Sequence, residues 1–448
     1  MKGDIKMKHL DTCKRAVQLA LQKGASDAAC TISTDEKTTI SVNKGQSEGL
    51  SASTGVSMGI KVFLGQKVAS FAVNDLSDES VTESVETALM LAKGSPENKF
   101  EGLADKSLVG KVSEQEVALI DAVDKTAPFT PEQMLQMAID MEDAAYAVPS
   151  VAAVCSSDVK QGRDTSYTYL SNGFEGVEED TWYQLVIDPV AGTGDKKVTS
   201  YDYSVAFHQA DLDSVQTVGK TAGEKAAAML NQVQLPSSGK MPVVFSPEIS
   251  SSLMKGCLKA CLNGAAIYAE KSLLDKSSIG KKLFGSNVTL LDDRLKPRGL
   301  SSSAFSVSGI IGPQSVKFVE DGVVQNFTMG VITARKLGMS PDLGREGMHN
   351  AYFKPSDISV KDMLSDIKLG LYVTGTMGRG FTAENGNISY TVEGYLIRDG
   401  FLTGEFVLEA TIAGNLVEML NSATFANDLT DRNGLNASTT RVDSLTVS

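Results

Sequence analysis

The residues with most chemistry to offer crowd one stretch, 241–268, which reads MPVVFSPEISSSLMKGCLKACLNGAAIY. Glu248 is a carboxylate of the kind that serves as a general base. Ser250, Ser251 and Ser252 offer hydroxyl nucleophiles. A serine attacks only when a base withdraws its proton, and neither a Gly-x-Ser-x-Gly elbow nor a neighbouring histidine accompanies them. A polar helix face accounts for them better. Cys257 and Cys261 stand four apart, within reach of one metal ion, but both fall on an apolar stripe where cysteine packs as a small hydrophobe. The chain has 3 histidines, His9, His208 and His349, and no two form a His-x-x-x-His pair. Zinc sites draw at least two ligands from one local motif, so metal ligation by this chain is not expected.

These residues need an element to position them. Residues 243–245 read as a short strand. Ser246 is a good N-cap, Pro247 suits the first helical position, and Glu248 sits where the helix dipole favours a negative charge. Ile249, Leu253, Cys257, Cys261, Gly264 and Tyr268 recur at three- and four-residue steps, which predicts one helix over 246–268 with a single apolar face.

This strand-into-helix resembles the segment that carries His-Glu-x-x-x-His in the TldD branch of the TldD/PmbA family. Laid against that motif, Pro247 stands at the first histidine, Glu248 at the glutamate and Ser252 at the second histidine. Neither Pro nor Ser binds zinc as an imidazole does. The cysteine that joins the metal in that branch has no counterpart in 431–442, DRNGLNASTTRV. The resemblance continues through 55–81, through DGVVQNFTMGVITARKLGM at 321–339, GRGFTAENGNISYTVEGYL at 378–396, EATIAGNLVEML at 409–420 and TRVDSLTVS at 440–448. It departs at 396–406, where a second hairpin, LIRDGFLTGEF, is inserted. What the resemblance implies is a PmbA/TldE-type chain with no metal or cofactor of its own. Its partner would be a TldD-type subunit that holds zinc, in a cytoplasmic heterodimer that cuts unfolded or extended peptides. This chain would contribute chamber wall and substrate binding, and Glu248 would lack a zinc-activated water to deprotonate. Self-association into a homodimer is open when the chain is alone.

Composition bounds the alternatives. A 448-residue chain with 42% hydrophobic and 22% charged residues is a globular protein of two or three domains. The net charge of −13 argues against a phosphate-binding surface, so the family's "modulator of DNA gyrase" label gains no electrostatic support for DNA contact. No run of 18 apolar residues predicts a membrane helix, and the basic N-terminus lacks the apolar core of a secretory signal. The 5 cysteines, an odd number, fit a reducing cytoplasm.

The expected fold class is α+β in three parts: a mixed α/β domain over 1–100, an α+β middle domain over 112–235, and a β-rich, barrel-like domain over 241–448. In the first part, a helix is predicted over 10–21, strands over 29–34 and 38–43, a longer β stretch over 50–73 and a helix from 78 to 94. Thr130-Pro131-Glu132-Gln133 is a capping-box start, Ser171-Asn172-Gly173 a hairpin turn, and 235–240 a linker. Asp321-Gly322, Asn385-Gly386 and Asp399-Gly400 mark tight hairpins in the last part, where a closed sheet avoids open edges.

Four further residues are candidates for substrate binding. Arg335 suits a bidentate contact with a peptide carboxylate, or else an internal ion pair. Gly378 and Arg379 lie in a backbone-accessible turn. His349, in GREGMHN, is placed to line a cavity or to be satisfied within its loop. The alternative to a non-catalytic subunit is an independent hydrolase in which Glu248, Asp292 and Asp293 hold magnesium or manganese through oxygen.

Overall fold

The computed structural model describes residues 2–341, 346–378, 380–431 and 436–448, with side chains from residue 8 onward. The architecture is α+β, built on one large antiparallel sheet, one closed sheet and a smaller sheet inserted in sequence between two strands of the closed one.

The stretches predicted as separate strands at 29–34 and 38–43 are one strand, Asp27–Asn43. Asp35, Glu36 and Lys37 between them are exposed, so their charges stay in water while their backbones pair with Gly55, Thr54 and Ser53. The expected boundary between 100 and 112 does not interrupt the sheet. Asp27–Asn43 pairs with Val151–Leu170 from Ala29↔Leu170 to Val42↔Ser157, so both segments share one ladder. Helices cover this sheet in two groups. Lys2–Gln22 and Asp78–Gly94 set Cys13, Val17, Val81 and Val85 against Ile32, Met58 and Ile60. Pro131–Tyr146 and Val215–Ala228 set Met134, Met141 and Val218 against Ile40, Val159 and Leu185. The capping box forms as the sequence predicts, with Thr130 Oγ1 accepting from Gln133 N and Gln133 Oε1 accepting from Thr130 N. The second pair of helices cross so closely that a Cβ at Gly219 would lie 2.1 Å from the Met141 carbonyl oxygen.

The last part closes on itself. Gly239–Phe245, Leu369–Met377, Asn387–Arg398, Phe401–Asn415 and Thr440–Val447 pair in a ring, because Asn387–Arg398 bonds to Phe401–Asn415 as well as to Leu369–Met377. Closure removes the edges that so many β-prone segments would expose. The interior holds Val243, Phe245, Leu371, Val373, Val392, Ile412 and Val442, all fully buried. Two of the expected hairpin turns have both central residues at positive φ: Asp321 at 49° with Gly322 at 82°, and Asp399 at 47° with Gly400 at 83°. That is the twist a two-residue hairpin needs. The third differs: Thr382 pairs with Asn387, so the loop is longer, and of its dipeptide only Gly386 has positive φ, at 73°. Among the described residues no helix is long and apolar enough to cross a membrane.

Candidate functional site

The strand Gly239–Phe245 carries Ser246, Pro247 and Glu248 out of the barrel wall. It runs parallel to Leu369–Met377 through Leu371↔Val243, Tyr372↔Val244 and Val373↔Phe245. Ser246 N then donates to the Val373 carbonyl, and its hydroxyl accepts from Ile249 N at 3.4 Å, turning the chain into the helix. Beyond Val373 the neighbouring strand continues without it. Thr374 is the extra residue of a β-bulge, since Val373 pairs with Gly394 and Gly375 with Glu393. The edge at 374–377 that faces the departing helix is therefore left unpaired by Gly239–Phe245.

The helix is not the single element expected over 246–268. After Pro247–Ile249 it widens into a π-helical turn at Ser250–Lys255, returns to α form at Gly256–Cys261, and stops. Asn263 leaves the helix and caps a second one, Gly264–Tyr268, accepting from Ala265 N at 2.9 Å and Ala266 N at 3.2 Å. An asparagine side chain competes for backbone donors, and apolar periodicity does not register that competition. Cys257 and Cys261 lie in the barrel-side core, where burial pushes both thiols up to about 12. Ser250 is buried, with its hydroxyl 2.6 Å from that of Thr440.

Glu248 and Ser252 open onto a cleft of roughly 570 Å³, bounded by Tyr201, Lys225, Thr374–Thr376 and Glu393. The donors at the motif positions do not fit zinc. Pro247 has no donor atom, the Ser252 hydroxyl is turned to the Ile249 carbonyl at 3.3 Å, and Glu248 lies 3.9 Å from the Lys225 ammonium. Lys225 in turn sits 2.9 Å from the buried carboxylate of Asp202. Burial raises the Glu393 carboxyl above its ordinary range, and among the described residues no cation lies within ion-pairing distance of it. Tyr201, Lys225 and Glu393 were not singled out in the sequence. Each lies in a different segment, and only closure of the barrel beside the large sheet brings them to Glu248.

The other candidates fall elsewhere. Arg335, in the helix Val331–Leu337, donates to the carbonyls of Phe100 and Gly102 at 3.2 Å and of Leu103 at 2.7 Å. Its guanidinium thus fastens the connector after the first helical pair to the last domain. Gly102 has a φ of +138°, and a Cβ there would lie 3.1 Å from Arg335 Nη1, so glycine allows this approach. Arg335→Gln is expected to cost about 2 kcal/mol by stranding half-buried carbonyls. Faster tryptic cleavage at Lys99 or Lys106 would report the released connector, and an unchanged digest would refute the clamp. His349 lines a separate cavity of roughly 350 Å³ between the large sheet and the last domain, beside Glu346, Arg294 and Glu178. Its backbone N donates to Asp292 at 2.8 Å and its Nδ1 lies 3.4 Å from the same carboxylate. Asp292 is thus tied to His349, while Asp293 accepts from Leu295 N. Gly378 ends a barrel strand at φ +77°. Arg379 lies outside the described residues. His208 binds the Asp121 carbonyl at 2.8 Å, the His9 ring packs on Tyr167, and neither lines the cleft.

The helix-covered sheet and the closed barrel that follows it are laid out as the consecutive domains of a metallopeptidase family. Three consecutive stretches match its profiles: PmbA/TldA metallopeptidase domain 1 at 31–92, the central domain at 124–230 and the C-terminal domain at 238–448. The chain belongs to the PmbA/TldD family. It is 26% identical over 437 residues to a metalloprotease PmbA homologue of Haemophilus influenzae, covering 97% of this chain and 94% of the other. It is 26% identical over 424 residues to metalloprotease PmbA of Escherichia coli O157:H7, covering 93% and 91%. Its fold is similar to that of a candidate modulator of DNA gyrase from Bacteroides thetaiotaomicron, at TM-score 0.90, 23% identity and 98% coverage of both chains. It is also similar to TldE from Thermococcus kodakarensis, at TM-score 0.79, 18% identity, and 98% and 100% coverage.

Proposed function

We propose that this chain is the metal-free subunit of a cytosolic, two-chain peptidase, in which a TldD-type partner holds zinc and this chain binds the extended peptide. The observation that carries the reading is the pairing of a retained Glu248 with Pro247 and Ser252 at the flanking ligand positions. A carboxylate without a metal-bound water has no nucleophile to activate. Peptide binding is supported by the edge at 374–377, which Gly239–Phe245 leaves unpaired as it turns into the helix. An extended peptide added there as a strand gains main-chain hydrogen bonds independent of its sequence, which suits unfolded substrates.

The test is peptidase activity on an unfolded peptide together with elemental analysis. The purified chain alone is expected to be inert and free of stoichiometric metal. Activity is expected to appear on mixing with a zinc-binding relative that carries His-Glu-x-x-x-His, with the zinc on that relative. Cleavage by the chain alone would overturn the reading and make Glu248 the first residue to replace.

A further inference from the structure

We propose that the cleft beside the open edge at 374–377 is a subsite for one cationic side chain, lysine or arginine, of the peptide laid along that edge. This rests on the peptide-binding reading above and adds a preference that strand addition by itself does not supply.

The charge balance of the cleft is uneven. Among the described residues Glu248 and Glu393 line the cleft as two carboxylates, and the one ammonium there, that of Lys225, is neutralised from behind by the buried Asp202. That ammonium is committed to Asp202 at 2.9 Å and stands 3.9 Å from Glu248. Glu393 is left without a cation among the described residues, half-buried, on the strand that pairs with 374–377 from the side opposite the open edge. Its side chain reaches over that strand: a Cβ at Gly375 would lie 2.4 Å from Glu393 Oε1, so the carboxylate covers a residue that a peptide on the open edge would run beside. A carboxylate in partly dry surroundings gains most from an incoming cation, since both charge and hydrogen bonds are supplied together.

The walls suit the rest of such a side chain. Tyr201 and Tyr203 stack at 6.3 Å and 20° between rings, and Tyr395 meets Phe406 edge to face at 5.2 Å. Tyr201 stays 51% exposed, presenting ring surface to the cleft's contents. Aromatic faces attract ammonium and guanidinium groups, and Met229 and Ile249 provide apolar contact for the methylene stem. An acidic side chain would meet like charges here, and a purely apolar one would bury Glu393 with no partner. In this arrangement Glu248 is an anchoring carboxylate instead of a general base.

Fluorescence anisotropy with two labelled, unstructured peptides tests this on the full chain. The peptides are identical except for one central lysine, replaced in the second by norleucine. The wild-type chain is expected to bind the lysine peptide roughly tenfold more tightly, with the difference shrinking at high salt. Glu393→Gln is expected to remove most of the difference by weakening the lysine peptide, with the norleucine peptide bound at least as tightly as by the wild type, which also shows that the variant is folded. Equal wild-type affinity for both peptides would overturn the cationic subsite and leave the peptide groove standing. Failure to bind either peptide would overturn both. The wild-type comparison decides the matter even if Glu393→Gln fails to fold.

Discussion

Asp180→Asn is expected to stabilise the protein by about 2–4 kcal/mol at pH 8 and by little below about pH 4. Asp35, Asp164 and Asp180 are register partners on three adjacent strands, so their carboxylates share one face of the large sheet. Burial raises the Asp180 carboxyl from 3.8 to about 7, helped by Asp164, Glu178 and Glu179. Glu178 shares that face, while Glu179 is paired with Arg163 and Glu178 also accepts from Ala304 N. Between pH 4 and 7 the folded chain therefore holds a proton that the unfolded chain has released. Stability falls as pH rises through that window, and the cost is fully present above pH 7. Asparagine keeps the shape and removes the charge. Urea unfolding of both forms at two pH values checks this; a difference that does not change with pH would refute the shared-face origin.

Phe245→Ala is expected to cost about 3–5 kcal/mol and to weaken peptide binding under conditions where the variant is still folded. Phe245 is fully buried at the end of its strand, held between Val373 and Thr440, and it is the residue from which Ser246 turns the chain into the helix. The cavity left by its ring lies under the origin of Glu248, so relaxation there moves the cleft as well as the core. Phe401→Ala is the matched control. That ring is 70% exposed beside the Asp399-Gly400 turn, and its loss is expected to change stability by no more than about 0.5 kcal/mol. Chemical denaturation and peptide affinity, measured on both variants, separate the two effects. Equal losses would mean that Phe245 does not support the barrel wall in this way.

Much of the local structure was legible in the sequence because its causes lie within a few residues. The Thr130 capping box, the Ser246-Pro247 helix start and the Asp321-Gly322 and Asp399-Gly400 turns all form as their residue types require. The absence of histidine from 241–268 is likewise a property of the sequence alone. The helix expected to reach Tyr268 failed at Asn263, where a side chain took the backbone donors that apolar spacing ignores.

What the sequence by itself determined is the local caps and turns, the family to which the chain belongs, and the absence of imidazoles from 246–268. Only the tertiary structure decided which strands pair. Backbone donors and acceptors are the same in every strand, so alternation reveals which face is apolar but not which partner completes the ladder. For that reason Asp27–Asn43 joining Val151–Leu170 across the expected boundary had no local signal. The ring closure that leaves the edge at 374–377 open was hidden for the same reason. The meeting of Tyr201, Lys225, Glu248 and Glu393 at one cleft follows from those pairings, because residues so far apart along the chain become neighbours only when the barrel closes beside the sheet.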